Sequence, residues 1–126
     1  MSKAVNYHKQ GYNCAESILK SFNDENRLSI PVSIGNPFGS GMTVGSTCGA
    51  ITGAMIAVGA VSGRETETVP NASRQYANEL MNKVKEKYGT YECRELKKQG
   101  VSCPTIICYM EQQLKEILPV IVMKKE

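Results

Sequence analysis

Gly45-Ser46-Thr47-Cys48-Gly49-Ala50-Ile51-Thr52-Gly53-Ala54-Met55-Ile56-Ala57-Val58-Gly59 is the stretch whose reading decides the fold. It carries no charge and places a glycine or alanine at almost every other position. The uncharged apolar run from Ala50 to Val61 is about half of the ~20 residues that a bilayer crossing requires. Membrane insertion is therefore not expected, and a buried helix ending near Val61 is. Gly45, Gly49, Gly53 and Ala57 are four residues apart, so on a helix they make one bare stripe against which another backbone can lie. Each interior glycine costs roughly 1 kcal/mol relative to alanine, which tight packing has to offset. The same small residues leave room for a sulfur partner, so Gly45, Gly49 and Gly53 are also candidates to line a cofactor. Ser46 or Thr47 is expected to cap this helix, with Cys48 in its first turn and Gly63 at its end.

Outward from this segment the chain reads as helices between loops, without sustained period-two alternation. Towards the N-terminus, Ala15, Ile18, Leu19 and Phe22 recur at helical spacing in a candidate helix over 5–22 that Gly11 interrupts. Residues 23–45 hold Pro31, Gly35, Pro37, Gly39 and Gly41, and form a glycine-rich loop leading to Cys48. Towards the C-terminus, a helix over 71–87 carries Ala77, Leu80, Met81, Val84 and Tyr88 on one stripe. A short piece over 91–98 carries Cys93. The last helix opens at Ser102-Cys103-Pro104, with proline in the first turn and Ile107, Met110, Leu114 and Ile117 on its apolar side. Cys108 shares its face with Glu111, Gln112 and Lys115, the side expected to be wet. The tail PVIVMKKE is apolar and then basic, and is expected to cover the core or a neighbouring copy. The expectation is an all-α, single-domain bundle of four to five helices over 1–126.

Composition narrows the function. The chain has 126 residues, 41% apolar and 21% charged, with a formal charge of +3, as in a small globular domain. Two Phe, no Trp and a dispersed positive charge speak against nucleic-acid binding. The N-terminus shows no signal-peptide pattern, so a cytoplasmic protein with reduced thiols is expected. There is no phosphate-cradling motif, no Ser–His–Asp arrangement and no convincing carboxylate pair; Glu16, Glu92 and Glu95 read as solvated. His8 is the single histidine, and in a fraying N-terminal turn it is not a convincing partner for a catalytic cysteine.

Five cysteines remain: Cys14, Cys48, Cys93, Cys103 and Cys108. An odd number, irregular spacing and the absence of CxxC argue against a secreted disulfide scaffold, a zinc ribbon or a thioredoxin motif. Singly, each is a small hydrophobe in a core. Cys48 and Cys103, however, fall at expected helix starts, where unpaired N–H groups and the macrodipole favour a thiolate.

Gly11-Tyr12-Asn13-Cys14-Ala15-Glu16, Cys48-Gly49-Ala50-Ile51-Thr52-Gly53, Gly89 through Cys93-Arg94-Glu95-Leu96, and Cys103-Pro104 together resemble the C-GCAxxG-C-C family of small prokaryotic proteins, described as redox-active. The resemblance spans roughly residues 7–118. It implies four family cysteines, which fall on Cys14, Cys48, Cys93 and Cys103. Cys108 is the competing fourth position; the Cys-Pro start and the apolar stripe favour Cys103. The four are expected to act as redox thiols in disulfide exchange, or to ligate an iron–sulfur cluster in electron transfer, with a redox partner protein. A zinc site, or a non-redox helical interaction module with structural cysteines, is the alternative. A related domain occurs in split-Soret-type cytochromes, but the chain has no CxxCH and covalent haem is not expected. The glycine–alanine face and the apolar tail are compatible with a homodimer.

Overall fold

The computed structural model describes residues 2–118. The helices are α1 (Lys3–Gln10), α2 (Cys14–Asn26), α3 (Gly49–Ser62), α4 (Ser73–Tyr88), α5 (Cys93–Lys98) and α6 (Cys103–Ile117). The fold is all-α, as the sequence patterning indicates; six α-helices are described where four to five are expected. The tail over 119–126 lies outside the described residues.

The difference in count arises at the N-terminus. The expected helix over 5–22 is two helices, because Gly11 takes φ 117°, a left-handed conformation that closes α1. Two residues later Asn13 starts α2 with a capping box. Its side chain accepts the Glu16 N–H, and the Glu16 carboxylate accepts the Asn13 N–H, both at 2.8 Å. Glu16 is thus a cap, not a free surface acid. Asn13 also donates to the carbonyls of Gly35 and Asn36, so one side chain fixes both the start of α2 and the loop across from it.

The loop passage is more ordered than its glycines and prolines suggest. Val32–Phe38 forms a 3-10 segment, followed by a kinked turn over Gly41–Gly45. Gly45 therefore stands outside α3, and the bare stripe on the helix itself begins at Gly49. The cap of α3 is Cys48 rather than Ser46 or Thr47. Those two residues are drawn into an isolated antiparallel bridge between Thr47 and Glu92.

Helix α3 lies at the centre, against α2, α4 and α6. Ala50, Ile51, Ala54, Ala57, Val58 and Val61 are buried on it, facing Ile18 and Phe22 of α2, Leu80 and Val84 of α4, and Ile107, Met110 and Leu114 of α6. The α2–α3 contact depends on Gly53: a Cβ there would stand 2.9 Å from Ala15 Cα and 3.0 Å from Ala15 O. Backbone meets backbone at that point, and the lost helix propensity is exchanged for close packing.

Glu111 departs from the wet side assigned to it by sequence pattern. It is 9% exposed, because α1 folds over that part of α6. Its carboxylate accepts from the Ser2 hydroxyl at 2.6 Å, from the Ala4 N–H at 3.1 Å and from the Ser21 hydroxyl. Three donors from two other segments replace its lost water.

Candidate functional site

Cys14 and Cys103 are the first residues of α2 and α6, Cys93 is the first residue of α5, and Cys48 caps α3. Each of the four sulfurs thus stands at the N-terminal end of a helix. The unpaired N–H groups and positive dipole ends of the three longer helices, α2, α3 and α6, meet these thiols. No disulfide links them; all five cysteines are free thiols, with Cys14 and Cys48 buried, Cys93 and Cys103 partly exposed, and Cys108 exposed.

The four thiols are close enough to feel one another. Burial is the largest influence on Cys14 and pushes its thiol far up; Cys103, then Cys48 and Cys93, push it further. Cys48 is also raised, first by burial. The backbone N–H groups of Ala50 and Ile51 pull it down without offsetting that burial, and Cys93 and Cys103 add to the rise. The expectation of a stabilised thiolate on Cys48 is corrected here: at 4% exposure, desolvation outweighs the helix end. Cys108 lies outside this group on the exposed face of α6.

A short strap holds two of the thiols. The Cys48 N–H donates to Tyr91 O at 2.9 Å, and the Cys93 N–H donates to Ser46 O at 2.7 Å. These two bonds flank the Thr47–Glu92 bridge, so Ser46, Cys48, Tyr91 and Cys93 project to one side of it. Gly41, at φ +65°, lies directly on Cys93: a Cβ there would fall 2.7 Å from Cys93 Cβ and 2.6 Å from Ser46 O. Around it Ser40, Met42 and Thr43 also adopt left-handed backbone. That conformation is costly for residues with a Cβ and is typical of functional loops. Arg94 donates to Val44 O at 3.0 Å and ties the turn to α5.

Of the glycines proposed to line a cofactor, Gly49 faces Phe38 O and Cys14 Cβ, Gly53 faces Ala15, and Gly45 faces the Arg94 side chain. All three are occupied by protein contacts. Ser46 was expected as a helix cap, Gly41 as a loop residue and Tyr91 as the start of a short piece; their roles in holding Cys48 and Cys93 escaped the sequence, where the clustering of Gly39, Gly41 and Gly45 was the available signal. Tyr88, read as one more apolar-stripe residue, has a buried hydroxyl without a hydrogen-bond partner among the described residues. Burial, then Tyr109, Cys108 and Cys48, push that phenol up, which places it near the sulfurs.

The donor set is that of a soft, thiolate-held centre. Its arrangement is not that of a single-ion cage: among the described residues no three His, Cys, Asp or Glu side chains are grouped to hold one metal ion. Also among them, no helix is long and apolar enough to cross a membrane.

The described residues thus form a small helical fold in which four of the five cysteines stand at helix N-termini. The family model described as "Putative redox-active protein (C_GCAxxG_C_C)" matches residues 12–117, and the chain belongs to that family. No curated protein and no solved structure matches the chain.

Proposed function

We propose that this redox-active protein works by thiol–disulfide exchange, with Cys103 as the attacking thiol and Cys14 as the resolving one. The observation that carries this reading is placement: Cys14 and Cys103 are the first residues of α2 and α6, two helices packed on each other, with one thiol buried and the other partly open to solvent. Their exposures divide the labour. Cys103 is reachable from solvent and sits at the start of the 15-residue α6. Cys14 is buried and held protonated, which keeps it unreactive until a bond to Cys103 presents a sulfur to attack.

The reaction balances as follows. The Cys103 thiolate attacks one sulfur of a substrate disulfide, forming a mixed disulfide and expelling one substrate thiolate. Cys14 then attacks Cys103 Sγ, giving its proton to that expelled thiolate, and the second substrate sulfur leaves and is protonated from solvent. The substrate gains two electrons and becomes two thiols; Cys14 and Cys103 become a disulfide.

A thiolate-held iron–sulfur centre is the second reading. It is favoured by the donor chemistry, since four thiols stand at helix N-termini and thiolates are the usual ligands of such a centre. Cys14, Cys48, Cys93 and Cys103 would hold it, and it would supply one-electron transfer.

Trapping separates the two. In Cys14→Ser, a small aromatic disulfide should leave a stable mixed disulfide on Cys103, whereas Cys103→Ser should react about 100-fold more slowly. Equal labelling of Cys93 or Cys108 in both variants would overturn the exchange reading. Iron and sulfide in anaerobically prepared protein, with visible absorbance lost in either variant, would establish the second.

A further inference from the structure

We infer that Cys48 and Cys93 form a second dithiol, so that the chain stores four electrons rather than two. The inference rests on the exchange reading above and adds a site that it does not use.

The strap geometry pairs these residues, and the electrostatics agree with it. Cys48 and Cys93 sit on opposite sides of the Thr47–Glu92 bridge, each anchored by its own N–H, and project from the same side of it. They are diagonal neighbours across that bridge, a relation in which residues stand about 7–8 Å apart. The order of mutual influence runs the same way. Among the cysteines, Cys103 acts most on Cys14, while Cys93 acts most on Cys48. The four thiols therefore divide into Cys14 with Cys103 and Cys48 with Cys93. The pairs also touch: Gly49, next to Cys48, lies against Cys14 Cβ, where an added Cβ would be 3.1 Å away.

Closing a Cys48–Cys93 bond requires the strap to tighten, since disulfides span Cα separations of about 4.4–6.8 Å. The strap can give. It is one isolated bridge rather than part of a sheet, and it continues into the turn whose Ser40, Met42 and Thr43 are already held left-handed.

Transfer between the pairs conserves electrons. The Cys48 thiolate attacks Cys14 Sγ of the Cys14–Cys103 disulfide, and Cys103 leaves as a thiolate at the start of α6. The Cys93 thiolate then attacks Cys48 Sγ, and Cys14 leaves and takes up a proton. One disulfide is reduced and one is formed; the equilibrium favours the Cys14–Cys103 bond, and a second substrate disulfide draws the transfer forward by reoxidising the freed Cys14 and Cys103.

The test is stepped oxidation of Cys108→Ser protein in glutathione buffers of rising oxidised fraction, followed by acid quenching, alkylation and peptide mapping. The expected result is four thiols lost in two steps of two, with a Cys14–Cys103 peptide in the first and an added Cys48–Cys93 peptide in the second. Loss of only the first two thiols, or a second bond joining any other pair, overturns this inference and leaves the exchange reading standing. Absence of the first step removes both. As a second variant, Cys14→Ala/Cys103→Ala protein with native circular dichroism should still lose two thiols, both from Cys48 and Cys93; retention of both also overturns the inference.

Discussion

The two ends of the α2–α6 pair bury polar chemistry in opposite ways. At one end, Glu111 is buried with every demand met: three donors surround its carboxylate. A cavity of about 200 Å³ beside it is lined by Ile18, Phe22, Leu114 and Leu118, with Glu25 and Lys115 among its polar residues. At the other end, Cys14 and Cys48 are buried among like groups that raise one another. A satisfied buried charge makes a lock. Buried thiols that disfavour one another's ionisation make a site that stays protonated and unreactive until a partner sulfur is brought to it.

The contrast breaks most readily at the glycine contact. Gly53→Val should cost about 3 kcal/mol, the upper end of ordinary overpacking, because the intruding atoms meet the Ala15 backbone and not a side chain that could turn away. It should also displace Cys14 from Cys103 and reduce thiol exchange. Gly59 on the same helix has nothing within 4 Å of an added Cβ, so Gly59→Ala should stabilise by up to about 1 kcal/mol. Thermal unfolding of the two variants gives opposite signs if α3 has one packed and one open glycine side.

At the lock, Glu111→Gln should cost about 1–3 kcal/mol, since an amide turns one accepting atom into a donor facing donors. Urea unfolding should detect this while the alkylation rate of Cys103 stays unchanged. A change in that rate would mean that the two ends are not independent.

The pH response sharpens the comparison. The folded state holds Cys14 and Cys48 protonated above the ordinary thiol value of 9.0, whereas the unfolded chain releases those protons near that value. The folded state then binds more protons, and stability falls as pH rises. Their stabilising effect is complete below pH 9 and is lost above it at about 1.4 kcal/mol per pH unit for each thiol. Cys14→Ala should make that decline shallower, as read from unfolding midpoints between pH 8 and 10.5.

The smallest effect belongs to Cys108. Exposed and outside the thiol group, it should tolerate serine within about 0.5 kcal/mol, with the same number of thiols lost on mild oxidation as the other four supply.

Much of the fold was legible because the information is local. Stripes such as Ile107, Met110 and Leu114 report a helix by spacing alone, and Ser102-Cys103-Pro104 marks where one begins. The capping box of Asn13 and Glu16 was also local, but Gly11 drew attention as an interruption rather than as the end of a separate helix. Glu111 was misread because its burial depends on α1, more than a hundred residues away in sequence. The grouping of the four cysteines came from family resemblance; spacing alone left them as core residues. The Thr47–Glu92 strap was invisible, since a single bridge is too short for any period-two pattern. The thiolate expected on Cys48 followed from the helix end, and failed because burial depth is a tertiary quantity.

The central claim is that Cys14 and Cys103 are one redox unit. Wild-type protein equilibrated at graded glutathione potentials, then alkylated and weighed by mass spectrometry, measures this directly. The account predicts that Cys14 and Cys103 lose their label together, in a single two-electron step that precedes any other bond. A Cys14 that keeps its label at every potential while Cys103 or Cys108 alone becomes oxidised would contradict it.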